Sequence, residues 1–313
     1  MAPKGKAVMN KKRGNILQRI IMIACIIGFL ICVAWLVYYF VGNSRAERQV
    51  EDLKDYYVTA EVVTTPTPEP PKPTAEPTAE PTATPEPTPA PDKVVIDGIE
   101  YPNFEGLDVP ERTIDFAGLQ TDENEHIYAW VYIPNTNVDY PILQHPEKPD
   151  YYLNHDTKGK KVTAGSIFTQ YYNDKDFNDN NTVIYGHNMK NGSMFKTLHY
   201  YEDPAFFEEN PYVYIYTETD TRVYQIFGAY EYGDMHLLLS FDMTRKESFG
   251  TYLDGLRTLN GIKDNFNWDI GVTSDDKIIT LSTCVANKAN NRYLVQAKLI
   301  AVEENAEAAT ATE

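Results

Sequence analysis

Cys284 and Arg292 of this 313-residue chain could together support nucleophilic catalysis. Cys284 ends the β-rich run 277–284, just before a polar stretch, so its sulfur could face the mouth of a cleft. Arg292 opens the next β-rich run, and a hairpin would bring its cation beside the sulfur. A neighbouring cation favours the thiolate, which is the nucleophilic form of cysteine. The alternative is a buried structural thiol, because cysteines in strands often belong to the core.

A cysteine nucleophile also needs a group that donates and accepts protons, and histidine is the usual choice. His187 follows the predicted strand 182–185 after a single glycine, so it has the same strand-end placement as Cys284. A turn histidine without a catalytic role is the alternative for His187. The other five histidines lie in polar loops or helical stretches, where surface positions are expected: His126, His145, His155, His199 and His236.

Eight short runs rich in Val, Ile, Tyr and Thr predict the strands that must position these residues. They are 128–133, 138–144, 165–172, 182–185, 212–217, 222–232, 277–284 and 293–302. Their composition and spacing favour an antiparallel or mixed β-barrel in a mainly β (α+β) domain. A capping box at Thr244–Glu247 predicts a helix that reaches Leu259. A shorter helical stretch is predicted over Ser193–Tyr201.

Charge is unevenly distributed along the chain, which has 28 Lys and Arg, 45 Asp and Glu, and a net charge of −17. Residues 1–46 contain basic residues and no Asp or Glu, so the remainder is more acidic than the average. Such a remainder is a poor candidate for binding nucleic acid, which requires a basic surface. The only cysteines are Cys25, Cys32 and Cys284, which excludes a disulfide scaffold and a cysteine-based zinc site.

An uncharged run of 22 residues, Ile20–Val41, would form a helix about 33 Å long, enough to cross a bilayer. Basic residues precede it and acidic residues follow it, so the positive-inside rule predicts a cytoplasmic N-terminus and an external remainder. The run ends in aromatic residues that are typical of a membrane interface. These features favour an uncleaved signal anchor over the alternative, a cleaved signal peptide.

Residues 66–91 contain eleven prolines and no large apolar side chain, so they cannot build a core. They predict a semi-rigid polyproline stalk up to roughly 80 Å long. The alternative is a proline-rich ligand for a recognition domain. The predicted organisation is a cytoplasmic tail (1–19), an anchor (20–41), a juxtamembrane segment (42–65), the stalk (66–91), a catalytic domain (92–303) and a disordered tail (304–313).

The acidic, Asn-rich stretch Asn173–Asp179 has an opening like that of a calcium loop. It lacks the glycine at position 6 and the bidentate glutamate at position 12 that an EF-hand loop uses. A solvated loop is therefore the favoured interpretation, and the sequence predicts no metal site.

Several motifs together resemble those of the sortase family. The stretch 181–189, the strand Thr280–Cys284 and Arg292 reproduce the order of its signature: a histidine at a strand end, a TLxTC strand and an arginine on the following strand. Upstream stretches at 129–134, 138–144, 151–153 and 165–168 are similar to those of class B sortases. The resemblance covers about residues 100–303.

This resemblance implies an eight-stranded barrel with flanking helices and a cysteine transpeptidase without a cofactor. Cys284 would attack the carbonyl after the Thr of an LPxTG- or NPxTN-like sorting motif and form a thioester. His187 would protonate the departing amine and later take a proton from the incoming one, while Arg292 would bind the substrate carbonyl. The strand residues Leu281, Ser282 and Thr283 would contribute to substrate binding.

The implied partners are surface proteins that carry the sorting motif, together with an amine of peptidoglycan or a pilin lysine. The implied location is the membrane of a Gram-positive cell, with the catalytic domain outside. Two other functions remain open: a cysteine peptidase that hydrolyses the acyl-enzyme, and a catalytically silent surface-binding module. The joint presence of His187, Cys284 and Arg292 argues against the silent module.

Overall fold

The computed structural model describes residues 5–60 and 93–305, and the chain divides into two compact units, residues 1–49 and 50–313. The described part of the first unit is helical and belongs to α1 (Gly5–Tyr57). From Arg19 onward, α1 is long and apolar enough to cross a membrane, and the predicted span 20–41 lies within it. The orientation of this candidate span stays a prediction.

The second unit is built mainly from strands. Across the described residues the strands are β1 (Val58–Ala60), β2 (Lys93–Ile96), β3 (Ile99–Pro102), β4 (Arg112–Ile114), β5 (Ile127–Tyr132), β6 (Asp139–Leu143), β7 (Ile167–Thr169), β8 (Asn181–Tyr185), β9 (Tyr212–Thr217), β10 (Asp220–Gly233), β11 (Asn265–Phe266), β12 (Ile278–Val285) and β13 (Lys288–Glu304). The α-helices are α2 (Phe116–Gly118), α3 (Pro204–Glu209), α4 (Leu237–Ser240) and α5 (Lys246–Leu256). Short 3₁₀ helices cover Tyr151–Leu153, Phe195–Glu202 and Trp268–Ile270, and a π-helical turn covers Leu119–Glu123.

Eight strands form a closed barrel in the order β10, β13, β12, β8, β7, β6, β5 and β9, and β9 pairs with β10 to complete the ring. The short β11 attaches to β10 outside the ring. Most neighbours are antiparallel, while the pairs β6–β7 and β8–β12 are parallel. Closure leaves no unpaired edge in the ring. These are the eight strands expected from the sequence, so the predicted mixed barrel with flanking helices is confirmed.

Helix α5 covers one side of the barrel with the apolar face that the sequence predicted. Phe249 and Leu256 are at most 1% exposed and pack in a cluster with Val183 of β8 and Ile278 of β12. The predicted capping box is wrong, because the hydroxyl of Thr244 donates to the Asp242 carboxylate (2.6 Å) and the helix begins at Lys246. The helix therefore supports the strands that carry the two predicted catalytic residues.

The end of α1 and strand β1 are part of the barrel unit. Leu53 and Tyr57 are 2% and 6% exposed and share an apolar cluster with Phe116 and Trp130. Strand β1 pairs with β4 through Val58–Ala60. These residues belong to the predicted juxtamembrane segment, outside the predicted catalytic domain. The folded unit therefore starts earlier than the predicted residue 92, because the amphipathic end of α1 supplies core side chains.

The predicted stalk, residues 66–91, lies outside the described residues. Its flanks are informative, because Ala60 and Lys93 both belong to the second unit. The chain thus joins the folded unit before the proline-rich residues begin. A spacer that separates the candidate span from this unit would therefore have to lie before residue 50. The predicted tail also starts too early, since β13 continues to Glu304; residues 306–313 lie outside the described part.

Candidate active site

The parallel pairing of β8 with β12 places His187 and Cys284 at the same end of the barrel. The last matched pair in this register is Tyr185 with Ser282, so His187 and Cys284 each follow it by two residues. The pairing continues through the Gly186 amide, which donates to the Ser282 carbonyl (3.1 Å). The structure therefore brings these two predicted site residues to one end of the barrel.

Cys284 and Arg292 are direct partners in the antiparallel pair of β12 and β13. Opposite residues in such a pair point to the same face, with Cβ atoms about 4.5–5.5 Å apart. Cys284 is exposed, and Arg292 is partly buried. The hairpin turns at Ala286–Asn287, so residues 288–291, which the sequence suggested as a loop, already belong to β13. This register places the side chains of Cys284 and Arg292 on the same face of the hairpin, while the effect of the cation on the thiol stays a prediction.

His187 is held on both sides by main-chain groups. Its ring Nε2 lies 2.7 Å from the Leu153 carbonyl, and its own carbonyl accepts a hydrogen bond from the Phe195 amide (2.9 Å). Because a carbonyl oxygen only accepts, Nε2 carries the proton of this bond. In the neutral ring, Nδ1 then holds the lone pair and is the nitrogen at which His187 can take up a proton.

Gly186 allows the chain between the end of β8 and His187 to lie against its neighbours. A Cβ atom at this position would lie 2.5 Å from Ile167 Cδ1 and 2.6 Å from Phe195 Cδ2, closer than real Cβ contacts. We expect Gly186→Ala to destabilise the domain by about 1–3 kcal/mol, the usual cost of overpacking, and to displace His187. Thermal unfolding should show this loss, whereas Gly233→Ala, with no atom within 4 Å of the new Cβ, should leave the midpoint unchanged. Equal midpoints for the two variants would contradict the packing argument.

The guanidinium of Arg292 is anchored to its own hairpin. One terminal nitrogen, Nη1, donates to the carbonyls of Ala289 (3.0 Å) and Asn291 (3.1 Å). Arginine has five N–H donors in one plane, so three further donors belong to Nε and Nη2. The anchored plane can therefore present donors beside Cys284 without losing its own support.

The three residues before Cys284 lie in the barrel wall. Leu281 is 0% exposed, Ser282 is 6% exposed and Thr283 is 2% exposed. The Ser282 carbonyl already accepts from Gly186. Their role in substrate binding stays a prediction, and the structure shows that their side chains are packed in the barrel wall.

His199 lies beside Cys284, although its local sequence predicted a surface position away from the site. It lies on the 3₁₀ helix Phe195–Glu202, its side chain is 13% exposed, and its Nδ1 is 2.8 Å from Glu202 Oε1. Its Nε2 lies 2.9 Å from the Asn188 amide nitrogen and 3.1 Å from the Cys284 carbonyl oxygen. The Asn188 amide also donates to the Cys284 carbonyl (2.7 Å). The expected surface position of His199 is therefore wrong; the His-x-x-Glu spacing in a helical stretch was the local signal for the pair.

A cavity of about 810 Å³ opens beside this network. Acidic and basic side chains line it, and Glu231 is paired with Lys288 (2.5 Å). Burial opposes ionisation of Glu202, but hydrogen bonds from Lys263 and His199 outweigh burial and lower its pKa. Within residues 5–60 and 93–305, no group of three His, Cys, Asp or Glu side chains is placed to hold a metal ion. The site thus offers fixed charges, histidines and one exposed thiol.

Comparison with known proteins places this geometry in a family. A family model for the sortase domain matches residues 131–300, more than half of the chain. Sortase B of Listeria monocytogenes is 37% identical over 179 residues, which are 56% of this chain and 71% of that protein. The chain belongs to the sortase family. The range matched by the sortase model contains His187, Cys284 and Arg292.

Solved sortase structures share the fold. Sortase B of B. anthracis in complex with AAEK1 is 32% identical, with a TM-score of 0.53 over 60% of this chain and 85% of that one. The Staphylococcus aureus sortase B–substrate complex is 28% identical, with a TM-score of 0.51 over 59% of this chain and 84% of that one. The resemblance to class B sortases is therefore confirmed, and with it a family of cysteine transpeptidases of the cell envelope.

Proposed function

We propose that this sortase cleaves a sorting motif of the LPxTG or NPxTN type after its Thr and transfers the protein to an amine. The observation that carries the proposal is the cross-strand pair of Cys284 and Arg292, with His187 at the same end of the barrel. The Cys284 thiolate would attack the Thr carbonyl carbon. The resulting oxyanion would accept hydrogen bonds from the Arg292 guanidinium, whose planar donors suit this task.

Proton transfer would pass through His187. As the carbon–nitrogen bond breaks, protonated His187 gives its proton to the departing amine, which leaves a thioester on Cys284. The incoming amine then attacks the thioester, neutral His187 takes its proton, and the carbon–sulfur bond breaks. One ring serves both half-reactions because the second returns to His187 the proton that the first removed. The anchoring of Nε2 on Leu153 keeps the ring in place during this exchange.

The proposed partners and location follow from the same chemistry. A protein with a sorting motif is the acyl donor, and an amine of peptidoglycan or a pilin lysine is the acceptor. The candidate span from Arg19, with basic residues before it, supports an N-terminus in the cytoplasm and the barrel outside a Gram-positive cell. A substrate complex of the Staphylococcus aureus relative supports a substrate-binding site in this fold.

Mass spectrometry of the protein from residue 50 onward, incubated with a library of sorting-motif peptides, tests this function. We expect a thioester adduct on Cys284 whose mass identifies the motif, and amide products when an amine is added. Cys284→Ala should form no adduct and keep the thermal midpoint, because the exposed side chain contributes little packing. Release of acid in the presence of amine would support a peptidase instead, and the lack of any adduct would support a silent binding module.

A further inference from the structure

We propose that His199, held by Glu202, is a positioning residue for the acylation of Cys284. Through the Asn188 amide, it would fix the main chain of the nucleophile against the segment that carries His187. This inference rests on the proposed function of Cys284. It assigns His199 no contact with the substrate.

The placement of protons supports a defined chain of hydrogen bonds. The Glu202 carboxylate only accepts, so the 2.8 Å bond requires a proton on His199 Nδ1. In the neutral ring, Nε2 then holds a lone pair, and one N–H of Asn188 donates to it over 2.9 Å. The other N–H of Asn188 donates to the Cys284 carbonyl over 2.7 Å. The Cys284 carbonyl oxygen, 3.1 Å from Nε2, then receives its hydrogen bond from Asn188 and none from His199.

Charge and ring stacking fix the end of this hydrogen-bond chain that is formed by His199 and Glu202. Lys263 binds the other oxygen of Glu202, so the carboxylate is held on both sides. The ring of His199 stacks on that of Tyr293, with centroids 4.8 Å apart and planes 25° apart. Tyr293 is 0% exposed and pairs across the sheet with Thr283. His199 therefore rests on the rigid barrel wall next to the nucleophile.

This arrangement joins two segments that lie far apart in the chain. Asn188 directly follows His187, and its amide reaches a carbonyl 96 residues away, at Cys284. Losing the acceptor at His199 Nε2 would release one of the two bonds that orient this amide. Small displacements between reacting groups slow catalysis strongly, even when the substrate still binds. The effect should therefore appear in the acylation rate constant and not in peptide affinity.

Three substitutions at His199 separate hydrogen bonding from packing. His199→Phe keeps a ring to stack on Tyr293 but removes both nitrogens, and we expect the acylation rate constant to fall about tenfold or more. His199→Gln places an amide oxygen near the position of Nε2, where it can accept from Asn188, and should recover to within about threefold of the native rate. His199→Asn reaches only the position of Nδ1 and should behave like the Phe variant.

Single-turnover acylation over a range of peptide concentrations gives the rate constant and the peptide affinity separately. Support for the proposal is a lower rate constant with unchanged affinity and thermal midpoint in the Phe and Asn variants, together with rescue by Gln. Native rates for His199→Phe, or equal losses in all three variants, would overturn it. If the native protein forms no adduct at all, the proposed function fails, and that result is distinct from a failure at His199.

Discussion

An Arg292→Lys variant is expected to lose at least about a hundredfold in the rate of Cys284 acylation, with the fold unchanged, because loss of one oxyanion donor typically costs 10²–10³ in rate, or about 3–4 kcal/mol. In this structure Nη1 of Arg292 is already engaged by the carbonyls of Ala289 and Asn291. In the proposed mechanism the other donors of the same plane would serve the substrate. A lysine ammonium that binds these carbonyls cannot extend a second donor group to a separate oxygen.

The matched control removes a charge from the same hairpin without touching the partner of Cys284. Lys288 pairs with Glu231 at the surface, so Lys288→Gln should change acylation by less than about fivefold, as expected for a surface ion pair. Alkylation of Cys284 by iodoacetamide at fixed pH should change less than acylation in Arg292→Lys. Nearly native acylation by the lysine variant would mean that Arg292 acts through its charge alone. An equal loss in Lys288→Gln would mean that the effect is not specific to the donors of Arg292.

The barrel was predictable because each strand is encoded by its own residues. The run Tyr212–Thr217 is a strand with the same bounds in the prediction and in the structure. Strand-end positions also marked His187 and Cys284. The sequence did not show that β8 and β12 are parallel neighbours, since that pairing joins residues about a hundred positions apart. Only the order of strands in the closed ring turns two strand ends into one site.

His199 escaped prediction for a related reason. Its contact with the Cys284 carbonyl spans 85 residues, and the contact of Glu202 with Lys263 spans 61. Local sequence shows a histidine in a polar helical stretch, which is ordinarily exposed. The burial of Leu53 could not be predicted for a different reason. The end of α1 has only a short apolar face, and it comes after the apolar run that predicts the membrane span. Long-range partners decide the environment of both residues.

A chain that starts at Val50 should fold, whereas a chain that starts at residue 92 should be unfolded or insoluble. The shorter chain lacks Leu53 and Tyr57, which are 2% and 6% exposed in the apolar cluster around Trp130, and it leaves β4 without its partner β1. Removing one large buried side chain typically costs 2–5 kcal/mol, and the total stability of a domain is about 5–15 kcal/mol. Circular dichroism and thermal unfolding of both chains measure the difference.

Point variants in the longer chain keep this prediction testable if the shorter one cannot be purified. Leu53→Ala and Tyr57→Ala should each lower the thermal midpoint by roughly 5–10 °C, while Tyr56→Ala is the matched control, because Tyr56 is 78% exposed on the same helix. Replacing residues 66–91 by a Gly/Ser segment of equal length should leave the midpoint unchanged, since both flanks stay in place. If a chain from residue 92 melts within a few degrees of the longer one, the folded unit begins after the proline-rich segment and this prediction is wrong.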